Sequence, residues 1–264
     1  MNQTTLDGCR AKVDRAEKQL HVLTEEWRDF LKTNPYRFWI EAGAESSWYC
    51  VYFDYSTPTP PRFAVIAGEI AHNLRSALDH LAWREAVEWV GRECAEFNAY
   101  KITFPLTKTP ADFKKAATLQ YIREDTCAVM ERHQPYNGRD DKGTKSLGLL
   151  NWFNRMDKHR SLQIVSTFLA PLLQPRDLIG FSDTARLLDV SVKVKVGQML
   201  KGKTEVACYR FAPGPDPQMR VERTPLLGIG FPDVPQKFRG VQIADAVAQV
   251  RIVINDFANL LPER

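Results

Sequence analysis

The sequence predicts an α+β fold: a predominantly helical bundle with an early β-hairpin and a small antiparallel sheet set before the last helix. Three observations carry that expectation. From Leu6 to Phe30 the apolar or small residues Leu6, Cys9, Val13, Ala16, Leu20, Leu23, Trp27 and Phe30 recur at alternating steps of three and four, the seam of a helix laid lengthwise on another. From Phe63 to Glu88 there is no proline, and Gly68 alone interrupts about seven turns in which Ile66, Ala67, Ile70, Ala71, Leu74, Ala77, Leu78 and Leu81 share one arc. Late in the chain the period changes to two, in Val190-Ser-Val-Lys-Val-Lys-Val, as a half-buried strand requires.

The remaining elements follow in order. Asn34-Pro35 stops the first helix, because proline disfavours a helical residue before it. Arg37-Phe-Trp-Ile-Glu and Trp48-Tyr-Cys-Val-Tyr-Phe-Asp-Tyr, rich in aromatic and β-branched residues, predict a hairpin over 36–55 that packs on a neighbouring helix. Thr57-Pro-Thr-Pro-Pro is a stiff connector into the central helix. Lys101-Ile-Thr-Phe-Pro reads as a short extended piece, Pro110 as the first turn of a helix, and Arg123 to His133 as another, halted by Gln134-Pro-Tyr-Asn-Gly. Gly138 to Lys145 reads as a polar, mobile loop; Ser146 then opens a helix with Leu149, Trp152, Phe153 and Met156 on its apolar side. Strands are expected at Leu178–Phe181, Val190–Val196, Glu205–Phe211, Met219–Thr224 and Leu226–Phe231. Gly240 to Leu261 closes the chain as a helix whose stripe of Val241, Ala244, Val247, Val250, Ile254 and Phe257 returns it to the helical core. The expected organisation is a helical bundle over 1–170 with its hairpin, a β segment over 171–239, and a returning helix over 240–264.

Composition narrows the class of function. With 264 residues, 44% hydrophobic and 26% charged, the chain can bury a full core, so disorder and a coiled-coil rod are excluded for the whole. A net charge of +4 permits an anionic partner without demanding one. Cys9, Cys50, Cys94, Cys127 and Cys208 are odd in number, scattered and free of CxxC spacing, which predicts free thiols in a reducing cytoplasm. No apolar run is long enough for a membrane span, and the charged start MNQTTLDGCRAKVDRAEK does not read as a signal peptide, so a soluble cytoplasmic protein is expected. No GxxxxGK[ST] or GxGxxG loop is present to cradle a nucleotide.

The chemistry concentrates on the second helix. Opposite its apolar arc lie Glu69, Asn73, Ser76 and His80, flanked by His72, Arg75 and Asp79. A solvated helix face usually carries Lys and Glu pairs; this one carries acid, base and ligand types. Arg75-Ser-Ala-Leu-Asp-His80 resembles the R-x4-6-H motif of the HEPN superfamily of helical endoribonucleases, although Ser76 stands where Asn, Asp or His is common in that family. The resemblance implies a homodimeric, metal-independent, cofactor-free RNA-binding or RNA-cleaving protein, of the kind used as a toxin or phage-defence effector. Arg75 would grip phosphate and His80 would exchange the proton, with Asp79 and His72 beside them and Asn73, Ser76, Lys158, His159 and Arg160 contacting substrate. An Arg and a His five apart stand about 140° apart around a helix, so they clasp one phosphate only where the helix is distorted or a second subunit contributes. The wider pattern HNLRSALDHLAW, QPYN and DKHR is similar to an uncharacterised bacterial family of helices with a late β segment.

Two other readings stand beside it. Glu69, His72, His80, Asp157 and His159 could converge on a divalent metal and make a hydrolase. Alternatively the polar groups bond one another inside a structural or interaction protein, Asp79 to Arg155 or Arg160, His80 to Asn73 or Ser76, and His159 to Asp79.

Overall fold

The structure, a computed structural model, describes residues 3–43, 47–137, 142–159, 165–168, 178–182, 185–194, 202–213, 217–221, 227–231, 234–235, 238 and 241–260. At 3–5, 157–159, 165–168 and 227–228 the description is of the backbone alone. The chain forms two compact units, the first from 1–24, 64–162 and 234–264, the second from 25–63 and 163–233.

In the first unit, α1 (Gln3–Lys32) contributes Leu6, Cys9, Val13 and Ala16 to the core, so the three-four seam is buried as its spacing demands. Helix α2 (Arg62–Val90) buries Ala67, Ile70, Ala71, Leu74, Ala77, Leu78 and Leu81, while Ile66 is half-buried. Each fully buried Leu or Ile contributes about 1.5–3 kcal/mol, which decides the helix face more strongly than any propensity. Gly91, at φ 82, ends α2 in a conformation that costs other residues strain. The short helices α3 (Arg92–Phe97), α4 (Pro110–Lys114) and α5 (Glu124–Arg132) follow, α4 opened by Thr109, whose hydroxyl accepts from the Asp112 N–H. Helices α6 (Lys142–His159) and α7 (Ile243–Ala258) pack on each other, and α7 also meets α5, so the last helix does return to the helical core.

One local expectation is corrected. Lys142 to Lys145 is the first turn of α6 rather than loop, because Thr144, Ser146 and Leu147 are buried there and packing outweighs the helix penalty of Gly143; 138–141 lie outside the described residues. Lys101 closes a 3-10 turn, Ala99–Lys101, and Ile102 after it is extended, as expected of this piece, which pairs with no strand among the described residues. Side chains satisfy its backbone instead. Thr118 Oγ donates to the Lys101 and Thr103 carbonyls, Gln134 Nε2 donates to the Pro105 carbonyl, and α2 supplies the partners of Phe104.

In the second unit, β1 (Tyr36–Ala42) and β2 (Trp48–Tyr55) form the expected hairpin, with Tyr36 opposite Tyr55 and Ala42 opposite Tyr49. The hairpin and the late strands share one antiparallel sheet of order β1-β2-β6-β5, where β5 is Leu187–Val192 and β6 is Thr204–Phe211. Strands β3 (Val165–Phe168) and β8 (Leu227–Gly230) form a separate pair, as do β4 (Ile179–Gly180) and β7 (Arg220–Val221). Val51, Phe53, Val206, Tyr209 and Phe211 on the inner face of the sheet pack with Leu178 and Ile179. Trp27, Phe30 and Phe63 form an aromatic cluster with ring centroids 5.6–5.7 Å apart, at the angled geometries that aromatic quadrupoles favour.

The sheet also corrects the cysteine reading. Cys50 and Cys208 sit directly opposite each other on β2 and β6, with Cα atoms 4.1 Å apart, and are joined as a disulfide. Their separation of 158 residues leaves no spacing signal in the sequence. Cys9, Cys94 and Cys127 are free. Burial pushes the Cys9 thiol up to about 11, which makes it a packing residue rather than a nucleophile.

Candidate functional site

The polar face of α2 divides into three parts, all in the first unit. In the first, Arg75 and Asp79, one turn apart, are locked together: Arg75 Nε donates to Asp79 Oδ2 at 3.1 Å and Nη2 to Oδ1 at 2.7 Å. The same Nη2 donates to the Phe104 carbonyl at 2.7 Å, and the Phe104 N–H donates to Asp79 Oδ1 at 2.9 Å. The Arg75 side chain is 12% exposed and that of Asp79 32%. This ring fastens the segment after α3 to the central helix.

The second part is an open groove of about 480 Å³ between α1 and α2, lined by Arg15, Gln19, Val65, Gly68, Glu69, His72 and Asn73. Its floor is Gln19, buried, whose amide donates to Glu69 and whose carbonyl accepts from Asn73 Nδ2 at 2.9 Å. Arg15 and His72 are exposed at its rim. Gly68, buried, lies beneath it.

The third part lies further along the same strip. His80 is exposed, and its pKa is lowered, first by partial desolvation and then by the Lys12 charge on α1, with Asp79 opposing. A neutral imidazole near pH 7 is the result. Pairing Gln19 with Glu69 and Asn73, and Lys12 with His80, shows α1 and α2 running antiparallel here.

The sequence-derived residues are therefore not one constellation. Arg75 and Asp79 meet; Glu69, His72 and Asn73 meet, with Arg15 and Gln19 added by α1; His80 stands apart from Arg75, and Ser76 is half-buried. Asp79 is paired with Arg75 and Asn73 with Gln19, rather than with Arg155 or His80. The side chains of Asp157, Lys158 and His159, and Arg160 as a whole, lie outside the described residues. Glu69, His72 and His80 do not gather as ligands; among the described residues the group of metal-ligating type is Cys50, Glu205 and Cys208.

Two buried polar networks were not singled out from the sequence. Glu85, 1% exposed, accepts from Thr126 Oγ at 2.8 Å and pairs with Arg123 at 3.2 Å. His133, at the end of α5, contacts Asp256 Oδ2 through Nε2 at 2.9 Å, and Gln249 through Nδ1 at 3.0 Å, both on α7. Glu85 sits between Arg84 and Glu88 on the sequence, so its burial was not announced locally, and nothing local announced the second. Both are fully partnered, as buried polar groups must be, and both pin helices to α5.

No family model, no curated protein and no solved structure matches this chain. Among the described residues, no helix is long and apolar enough to cross a membrane. The fold and the groove thus define an α+β protein whose helical unit presents a mixed polar groove flanked by basic side chains.

Proposed function

We propose that the chain is an RNA-binding protein that cleaves RNA without metal, working through the α1–α2 groove rather than through the Arg75 and His80 of the HEPN-like motif. The observation that carries this is the pairing of an exposed guanidinium, Arg15, with an exposed imidazole, His72, around one open cavity, each from a different helix. Arg15 grips the scissile phosphate, for which its planar fork is suited. His72 exchanges a proton as the ribose 2′-hydroxyl attacks its own phosphorus and the 5′-oxygen departs. The Glu69 carboxylate at the groove end accepts from a base amino group. His80 with Lys12 lies about 12 Å further along the helix, eight residues at 1.5 Å each, and serves the flanking backbone rather than the same bond. Attack and departure need a base and an acid, and the groove holds one imidazole, so a homodimer supplies the second. In this reading Arg75 and Asp79 are positioning residues.

The test is fluorescence anisotropy with a labelled single-stranded RNA in a metal chelator, followed by cleavage on a denaturing gel. Arg15→Ala should weaken binding and reduce the slope of log affinity against log salt by ~0.7, one phosphate contact on a single strand. His72→Ala should abolish cleavage and leave binding. No RNA binding by the wild type, or wild-type behaviour of both variants, refutes the proposal. The second reading, a non-enzymatic interaction protein, is favoured by the mutual hydrogen bonding of Arg75, Asp79 and Phe104; it predicts that every substitution on this face reads out in stability alone.

A further inference from the structure

The face of the four-stranded sheet turned away from its core cluster holds a second chemical group, two buried cysteines and a half-buried carboxylate, independent of the groove and of the function proposed for it. Cys50 and Cys208 occupy facing positions on neighbouring strands, and their sulfurs and a Glu205 carboxylate oxygen all lie within 4.8 Å of one another. Glu205 Oε1 is 3.2 Å from Cys208 Sγ, and its Oε2 accepts from the Tyr52 hydroxyl at 3.1 Å.

That Glu205 shares a face with Cys208 is not what a regular strand gives. Residues three apart on a strand point to opposite sides. Here the register steps from Val51 opposite Ala207 to Tyr52 opposite Glu205, so Val206 is an extra residue on β6 and the alternation is reset. Bulges of this kind re-aim side chains and gather at functional sites. Val206 itself points into the core. The bulge therefore turns a carboxylate that would have faced the apolar core toward the two sulfurs, and the Tyr52 hydroxyl holds it there. A disulfide alone needs none of this, since a carboxylate beside two bonded sulfurs gains no hydrogen bond from them.

We propose that Cys50, Cys208 and Glu205 form a redox-gated site for a thiophilic divalent cation of the zinc class, closed as the disulfide and opened by reduction. A small dithiol passes two electrons and two protons to the Cys50–Cys208 bond, breaking it into two thiols while the dithiol closes to its own disulfide. Cation binding then releases two protons, because both cysteines ligate as thiolates. Two thiolates and a carboxylate supply three ligands of a tetrahedral set, and water completes it. Borderline-soft zinc suits that donor set, whereas calcium and magnesium prefer oxygen alone.

Cobalt(II) is the probe, because thiolate ligation gives it intense charge-transfer absorption and tetrahedral visible bands. The full chain, reduced with a dithiol and freed of it anaerobically, should take up one equivalent of cobalt with those bands and release it to zinc; the oxidised chain should show none. Glu205→Gln leaves both sulfurs in place and should weaken cobalt binding roughly tenfold or more. The double variant Cys50→Ser/Cys208→Ser should lose the bands and so exclude Cys9, Cys94 and Cys127 as their source. Absence of thiolate–cobalt absorption in the reduced wild type overturns the proposal. So does unchanged affinity in Glu205→Gln, or bands that persist in the double serine variant. RNA binding enters none of these readouts, so this site and the groove stand or fall separately.

Discussion

Arg75→Ala separates the two roles an arginine on this helix can have. In the structure the guanidinium makes three charge-assisted hydrogen bonds, two to Asp79 and one to the Phe104 carbonyl. The Asp79 part is an i,i+4 pair whose acidic partner is 32% exposed, so water recovers most of its loss and it is worth about 0.5 kcal/mol. The carbonyl part is larger. Phe104 is fully buried, and leaving its carbonyl without a donor costs about 1–3 kcal/mol. Together the substitution should cost about 2 kcal/mol, which for a chain of this size lowers the melting temperature of the first unit by about 4–8 °C. Urea unfolding followed by far-ultraviolet circular dichroism measures it, and the midpoint should fall with no change in slope. Arg75→Lys should recover only part of the loss, since an ammonium cannot span both partners as the guanidinium fork does. RNA affinity should be unchanged. If Arg75→Ala leaves stability intact and removes RNA binding, the positioning role is wrong and Arg75 is itself the phosphate ligand.

Three further outcomes follow from the geometry. Glu85→Ala takes the buried carboxylate from Thr126 and Arg123 and leaves them only the longer contacts to Asp125, at 3.4 and 3.8 Å; it should cost about 3 kcal/mol, the low end for breaking a buried pair because Arg123 is partly solvated, as measured by chemical denaturation. Gly148→Ala should destabilise by about 1–3 kcal/mol even though alanine is the better helix former, because a Cβ there would lie 2.8 Å from the Phe238 ring and 3.2 Å from Pro135. For His80 the folded pKa lies below the ordinary 6.5, so the unfolded chain binds the proton more tightly and the protein loses stability as pH falls below ~6.5. His80→Gln should remove that part of the slope in denaturation midpoints taken across the range; an unaltered slope would show that Lys12 and burial do not act on this imidazole.

Much of the helical unit was legible because its signals are local. The three-four spacing from Leu6 to Phe30 and the apolar arc of α2 each fix which side of a helix leaves water, whatever the partner, and the bounds Gln3–Lys32 and Arg62–Val90 extend them by a turn or less. The hairpin was legible for the same reason, from two β-prone runs around a short polar break. The turn Lys142–Lys145 was not, because Gly143 argues locally for loop while the burial that holds it helical comes from distant residues. The polar face of α2 was legible as a face but not as a site. Residue types and angles around one helix showed seven reactive side chains; that Arg75 is held by the backbone of Phe104, and that Arg15 and Gln19 arrive from α1, depends on how separate segments pack.

The same division holds for the whole protein. Periodicity determined helix or strand, and composition determined that a core would form, because both act through the nearest few residues and their escape from water. Which strands pair, which cysteines meet across 158 residues, and which arginine lines the groove were decided only by tertiary packing. The physical reason is that a hydrogen bond, a disulfide or a shared groove requires two partners at a fixed distance, and a sequence gives the identity of both partners without the distance between them.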